Sequence, residues 1–150
     1  MTSTPPPDTV ELLAQYVRDM SFEHPDAPLS INHAGEATPS VDVRVEYGQL
    51  GANLFEARLE ISASVKTKDL TIAVVELSYA GTYRIPPVMA EMREAFLMVE
   101  APRDLFPFAR AIIGLMTQVA GIPPLLIATP DFADTYRASS QAKIAAQVTA

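Results

Sequence analysis

The sequence predicts an α+β domain, a four-stranded antiparallel sheet with helices packed on one face. Three observations lead there. Apolar and polar residues alternate over 16–23, 41–47 and 54–66, and β-branched and aromatic residues concentrate in 69–85. After Pro86-Pro87 the apolar spacing changes to that of a helix. The link Thr67-Lys68-Asp69 is short enough only for an antiparallel hairpin.

In chain order, residues 1–8 hold three consecutive prolines and no apolar period, which predicts a disordered segment ahead of one domain over 9–150. A helical turn is expected at 10–14. The first strand, 16–23, alternates Tyr16, Arg18, Met20 and Phe22 against Val17, Asp19, Ser21 and Glu23. Pro25 and Pro28 end it, and 29–39 is a connection. The second strand sets Val41, Val43 and Val45 against Asp42, Arg44 and Glu46, and Gly48, Gly51 and Asn53 mark a turn. In the third, Phe55, Ala57, Leu59, Ile61, Ala63 and Val65 oppose a charged and serine-rich side. The fourth strand is apolar on both sides. Ala73, Val75, Leu77, Tyr79, Tyr83 and Ile85 form one, with Leu70, Ile72, Val74, Glu76, Ser78 and Thr82 behind them. It needs cover from two directions, and the chain has few helices to give, so part of that cover is expected from outside the subunit.

Val88, Met89, Met92, Phe96 and Val99 follow helical spacing until Glu100-Ala-Pro102, which is expected to interrupt it. A stronger stripe runs through Leu105, Phe108, Ala109, Ile112, Ile113, Met116 and Val119, with Pro107 in its first turn or at a kink and Gly121 as its stop. Thr129, Pro130 and Asp131 read as N-cap, first helical position and first-turn acid of a last helix to about residue 147. Its apolar stripe, Phe132, Tyr136 and Ile144, is thin.

Composition excludes several functions. The 150 residues carry a formal charge of −7 and no cysteine. That disfavours nucleic acid and anionic membranes as partners and rules out disulfides, thiol chemistry and cysteine-bound zinc. A basic protein partner is the better electrostatic match. The most apolar window, 111–128, is broken by Thr117-Gln118 and Pro123-Pro124, so no membrane insertion is expected, and the N-terminus resembles no targeting signal. Cytoplasmic residence follows as an expectation. His24 and His33 lack metal-ligand spacing, and no nucleophile elbow, phosphate loop or dinucleotide fingerprint occurs. Glu56 and Glu60 belong to a run of alternating charge, better explained as a solvated sheet face than as a glycosidase pair. The expectation is a non-enzyme with no catalytic residue, no metal and no cofactor.

What remains is the placement of carboxylates. Asp19 and Glu23 share one side of the first strand, and Glu76 lies beside Val74 on the fourth. An outward acidic and aliphatic patch suits a partner segment bearing lysine or arginine. Val41, Val43 and Val45 are either core or the wall of an apolar groove for extended peptides.

Four stretches carry a family resemblance. Arg18-Asp-Met-Ser-Phe-Glu-His-Pro-Asp-Ala-Pro28 is similar to the K-D-[IL]-S-F-E-x-P-x-x-P segment of the SecB protein-export chaperones. Val75-Glu-Leu-Ser-Tyr-Ala-Gly-Thr-Tyr83 resembles the family's V-x-x-x-G-x-F strand, and Leu105-Phe-Pro-Phe-Ala-Arg110 its L-F-P-[YF]-A-R helix start. Gly121-Ile-Pro-Pro-Leu125, followed by Pro130-Asp-Phe132, matches the pattern before its last helix.

The resemblance, over roughly 15–140, implies a cytosolic homotetramer, a dimer of dimers, that holds unfolded precursor proteins and passes them to the SecA translocation ATPase. Carried over by position, the SecA-binding residues are Asp19, Glu23, Val74 and Glu76, the position of Val74 being commonly leucine in the family. Val41, Val43 and Val45 match the groove for unfolded clients. Val75, Leu77 and Tyr79 are expected in the core or a subunit interface. The family's acidic C-terminal tail has no counterpart in 141–150. Two other readings keep different functions open: a SecB-like chaperone of a toxin-antitoxin module, and a small-molecule carrier or enzyme using the cleft between sheet and helices.

Overall fold

The structure, a computed structural model, describes residues 8–148, so the disordered segment expected at 1–8 lies, apart from Asp8, outside the described residues. Strands β1 (Glu11–Glu23), β2 (Thr38–Gly51), β3 (Leu54–Lys66) and β4 (Thr71–Arg84) form one antiparallel sheet in the order β1-β4-β3-β2. β2, β3 and β4 are joined by tight turns, while β1 returns beside β4 through the long connection 24–37. At the β2–β3 turn Asn53 takes a positive φ of 61°, a conformation its short polar side chain tolerates. This leaves Gly48 inside β2.

Directly opposed residues of an antiparallel pair share a face. Phe55, Ala57, Leu59, Ile61 and Ala63 of β3 stand beside Tyr83, Gly81, Tyr79, Leu77 and Val75 of β4, as alternation predicts. These form the inner face, and the core lies between it and the helices. A Pro87–Met92 3-10 turn, the short α1 (Arg93–Ala95) and a π-turn over Phe96–Glu100 lead into α2 (Ala101–Val119). The interruption expected at 100–102 does not occur. The N–H of Ala101 bonds to the carbonyl of Phe96, a wide turn that relieves the clash between the Pro102 ring and the preceding turn. Leu105, Phe106, Ala109 and Ile113 of α2 are fully buried on the sheet. At about 1.5–3 kcal/mol for each large apolar side chain, this burial is what docks the helix. The approach is close: a Cβ on Gly81 would lie 3.0 Å from Leu105.

Two local expectations are corrected. Residues 11–14 are strand rather than helix, because Glu11 pairs with Arg84 across the sheet and their side chains meet at 2.7 Å. Within the connection, Leu29–Glu36 forms a 3-10 helix. It is anchored by His24 against buried Ser30 (2.8 Å) and by the Asp26 carboxylate, which accepts the Thr71 N–H at 2.8 Å. The last helix, α3 (Phe132–Val148), is capped by Asp131 rather than Thr129, as the Asp131 carboxylate accepts the Asp134 N–H at 2.9 Å.

Cover for the two-sided β4 comes from within the chain. Ile72, at the end of the outer face, is fully buried in a cluster with Ala34 and Ala37 at the end of the connection. Ala80 lies beneath Tyr16 and Arg58 in register on its two sides. Open apolar surface elsewhere includes Leu12, Val17 and Met20 of the edge strand β1 and Phe108 and Leu115 of α2.

Candidate functional site

β1 carries two register shifts, with Leu13 and Arg18 as the extra residues. Strict alternation over 16–23 therefore fails at Arg18. Tyr16 and Arg18 reach the outer face together with Asp19, Ser21 and Glu23, while Val17 joins Met20 and Phe22 on the inner side. A bulge is a tertiary event, compensated by partners distant in sequence, so periodicity cannot locate it.

On the outer face Glu23 stands opposite Val74, Ser21 opposite Glu76, and Asp19 opposite Ser78. The four residues assigned to SecA docking are thus brought together on two adjacent strands. Asp19, Glu23 and Glu76 are exposed, and Val74 is half-buried between neighbours. The same rows continue across the sheet through Ser62 and Asp42 and through Glu60 and Arg44. Asp19, Glu76, Ser78, Glu60, Asp42 and Arg44 line a depression of about 260 Å³. Ser78 donates to Glu60 at 2.8 Å, and Arg44 meets Asp42 at 3.5 Å. The depression holds four carboxylates against one arginine. Alternation alone put Asp42 and Glu60 outward, but their membership needed the strand order, which sequence does not supply.

Beyond this acidic half, charge is paired off. Glu56 is only 6% exposed. It accepts hydrogen bonds from the Tyr16 hydroxyl, from Arg18 at 2.7 Å and from Arg58 at 2.9 Å. Burial works against its charge, but the bonds from Tyr16 and Arg58 and the charges of Arg18 and Arg58 prevail and hold its carboxyl below the ordinary value. Burial and the neighbouring Glu56 raise the Tyr16 phenol.

The inner face of edge strand β2 is the second feature. Val41 is exposed, and Val43 and Val45 are half-buried. Val43 and Val45 face Met98, Phe132 and Tyr136 across one cleft, which continues past Pro130 to Val41, Leu126 and Ile127. The valines line a groove, and Val43 and Val45 also pack against the core beneath. Sequence reasoning missed the opposite wall. Met98 comes from the π-turn, and the segment after α2 is held by Thr117, which is fully buried and whose hydroxyl accepts the Leu125 N–H at 2.9 Å. Val75, Leu77 and Tyr79 are buried within the chain under α2.

The family described as preprotein translocase subunit SecB matches residues 3–143. This chain belongs to the SecB family. It is 43% identical to the protein-export protein SecB of Parvibaculum lavamentivorans over 134 residues, 88% of this chain and 79% of that one. Against the same protein of Rhodospirillum centenum it is 44% identical, covering 83% of this chain and 75% of the relative. In structure it is similar to a SecB-like chaperone of Mycobacterium tuberculosis solved with a peptide from an antitoxin, with a TM-score of 0.66 over 81% of this chain and 90% of that one. That pair shares 15% identity, so the likeness concerns the SecB fold alone. The two faces of the sheet are therefore those of a SecB-family chain.

Proposed function

We propose that this SecB chain is a holdase of protein export. It binds unfolded precursor proteins along the apolar groove of β2, keeps them competent for translocation and delivers them to SecA at the acidic outer face. It works in the cytoplasm as a homotetramer, a dimer of dimers, and catalyses no reaction itself. The observation that carries this reading is the division of one sheet between two surfaces, an apolar groove over β2 on the inner side and an acidic depression on the outer.

The division suits two different partners. An unfolded chain offers apolar segments that a folded one hides, and their burial contributes about 25 cal/mol per Å². Several shallow contacts acting together hold a long client while each exchanges quickly. On the outer face each exposed ion pair contributes roughly 0–1 kcal/mol, so docking there depends on several carboxylates meeting one basic segment. No helix among the described residues is long and apolar enough to cross a membrane. The free edge of β1, with Leu12, Val17 and Met20 exposed and Val17 opposite Tyr79, on which the exposed Phe108 of α2 stacks, supports assembly through a second copy.

The test of the docking face is Glu76→Lys. Binding of the SecA C-terminal segment, measured by calorimetry in moderate salt, is expected to weaken about tenfold, the effect of roughly 1.4 kcal/mol. Client binding and assembly should be unchanged. Normal SecA binding by this variant would remove the assignment.

A further inference from the structure

We propose that Tyr16, Arg18 and Glu56 form a register clamp that positions the docking carboxylates Asp19 and Glu23; the docking half of this rests on the SecA reading above. Arg18 and Asp19 are neighbours in sequence, yet both reach the outer face, which a regular strand forbids. The extra residue at Arg18 makes this arrangement possible. Upstream of it Tyr16 stands opposite Ala80 on the outer face, and downstream Phe22 stands opposite Val75 and packs into the core.

Without the bulge these two halves are incompatible. With Tyr16 outside, regular pairing would turn Asp19, Ser21 and Glu23 toward the apolar inner side. With Phe22 inside, it would carry Tyr16 and Arg18 there instead. A one-residue slip exchanges the faces of every side chain on the slipped segment.

Glu56 sits where it can prevent both outcomes. It projects outward opposite Thr82, two places along β4 from Ala80, and holds Tyr16 and Arg18 from one carboxylate. Arg58, itself bonded to Glu46, donates at 2.9 Å to the same Glu56 oxygen as Arg18 and helps to fix that carboxylate. The Tyr16 hydroxyl also lies 3.3 Å from the Thr82 hydroxyl. Since β1 is an edge strand paired only with β4, these side chains supply the outer-face restraint that its missing neighbour cannot. Glu56 is a positioning residue, too buried to be a docking contact.

The test compares Arg18→Met and Tyr16→Phe with the unaltered full chain. Arg18→Met removes a positive charge beside an acidic face, so simple electrostatics predicts tighter binding of a basic partner. The clamp predicts the reverse, about tenfold weaker binding of the SecA C-terminal segment, as for one lost charge-assisted contact. Tyr16→Phe leaves the charge unchanged and is expected to weaken binding in the same direction by a smaller factor. A nuclear Overhauser map of the β1–β4 pairing reads the register independently of SecA. It should lose the Asp19–Ser78 and Met20–Leu77 proximities in Arg18→Met and keep Glu11–Arg84. Tighter SecA binding, or an unaltered register map, overturns the clamp. Glu76→Lys, measured alongside, separates the two claims: normal docking by that variant sinks the SecA reading, while the register map still decides whether the clamp exists.

Discussion

Thr117 shows how one hydroxyl shapes the groove. Its oxygen donates back to the α2 carbonyls of Ile113 (2.9 Å) and Gly114 (3.0 Å) and accepts the Leu125 N–H, tying the segment after α2 to the helix. Valine has the same shape and branching but leaves that N–H without its partner. Thr117→Val is therefore expected to lower stability by about 1–3 kcal/mol. In a chain of this size each kcal/mol lowers Tm by roughly 2–4 °C. Thermal unfolding followed by circular dichroism checks this, and a native Tm would show that the bond is dispensable. In the sequence Thr117 is only a polar break in an apolar window. Its partner is eight residues away, beyond a helix end, so neither its burial nor its bond could be inferred from spacing. Glu56 was hidden for the same reason: it looks like one carboxylate among many in an alternating strand, and its three donors come from β1 and from its own strand.

At the scale of elements, β3 and β4 were legible in detail because both are inner strands with a uniform apolar side facing one core. Their alternation and pairing follow from burial alone. β1 was legible only in its second half, where Asp19 and Glu23 were placed together, because the bulge at Arg18 resets the alternation before it. The helical lead-in is not legible at Pro102, since a π-turn absorbs a proline that an unbroken α-helix cannot. For β2 the sequence left two options for its valines, core or groove, and both contain part of the geometry. At the sheet's edge a side chain can touch the core beneath and line a cleft above. Val43→Asp places a carboxylate in that cleft, between Phe132 of α3 and the segment leading to it. Binding of a reduced, unfolded precursor should weaken about tenfold, on the order of 1–3 kcal/mol for the unpaired polar group. SecA binding on the opposite face should not change. Fluorescence anisotropy with a labelled client reads the first and calorimetry the second. Unchanged client binding would place the groove elsewhere.

For the molecule as a whole, the central feature is one sheet with an apolar groove on its inner side and an acidic depression on its outer side. The family resemblance read from four motifs agrees with the match to the SecB family over residues 3–143, and the expected architecture agrees with the observed one. Besides the groove of β2, open apolar surface lies on β1 and α2, where the sequence did not place it, while much of β4 is buried by the chain itself. The account requires client and SecA to occupy opposite faces of one assembly, without competing. Native mass spectrometry of the full chain with a reduced, unfolded precursor and the C-terminal segment of SecA tests this most directly. The expected species is a tetramer carrying client and SecA segment together, with no such complex formed by the folded form of the same precursor. Displacement of either partner by the other, or equal binding of folded and unfolded precursor, would contradict the account.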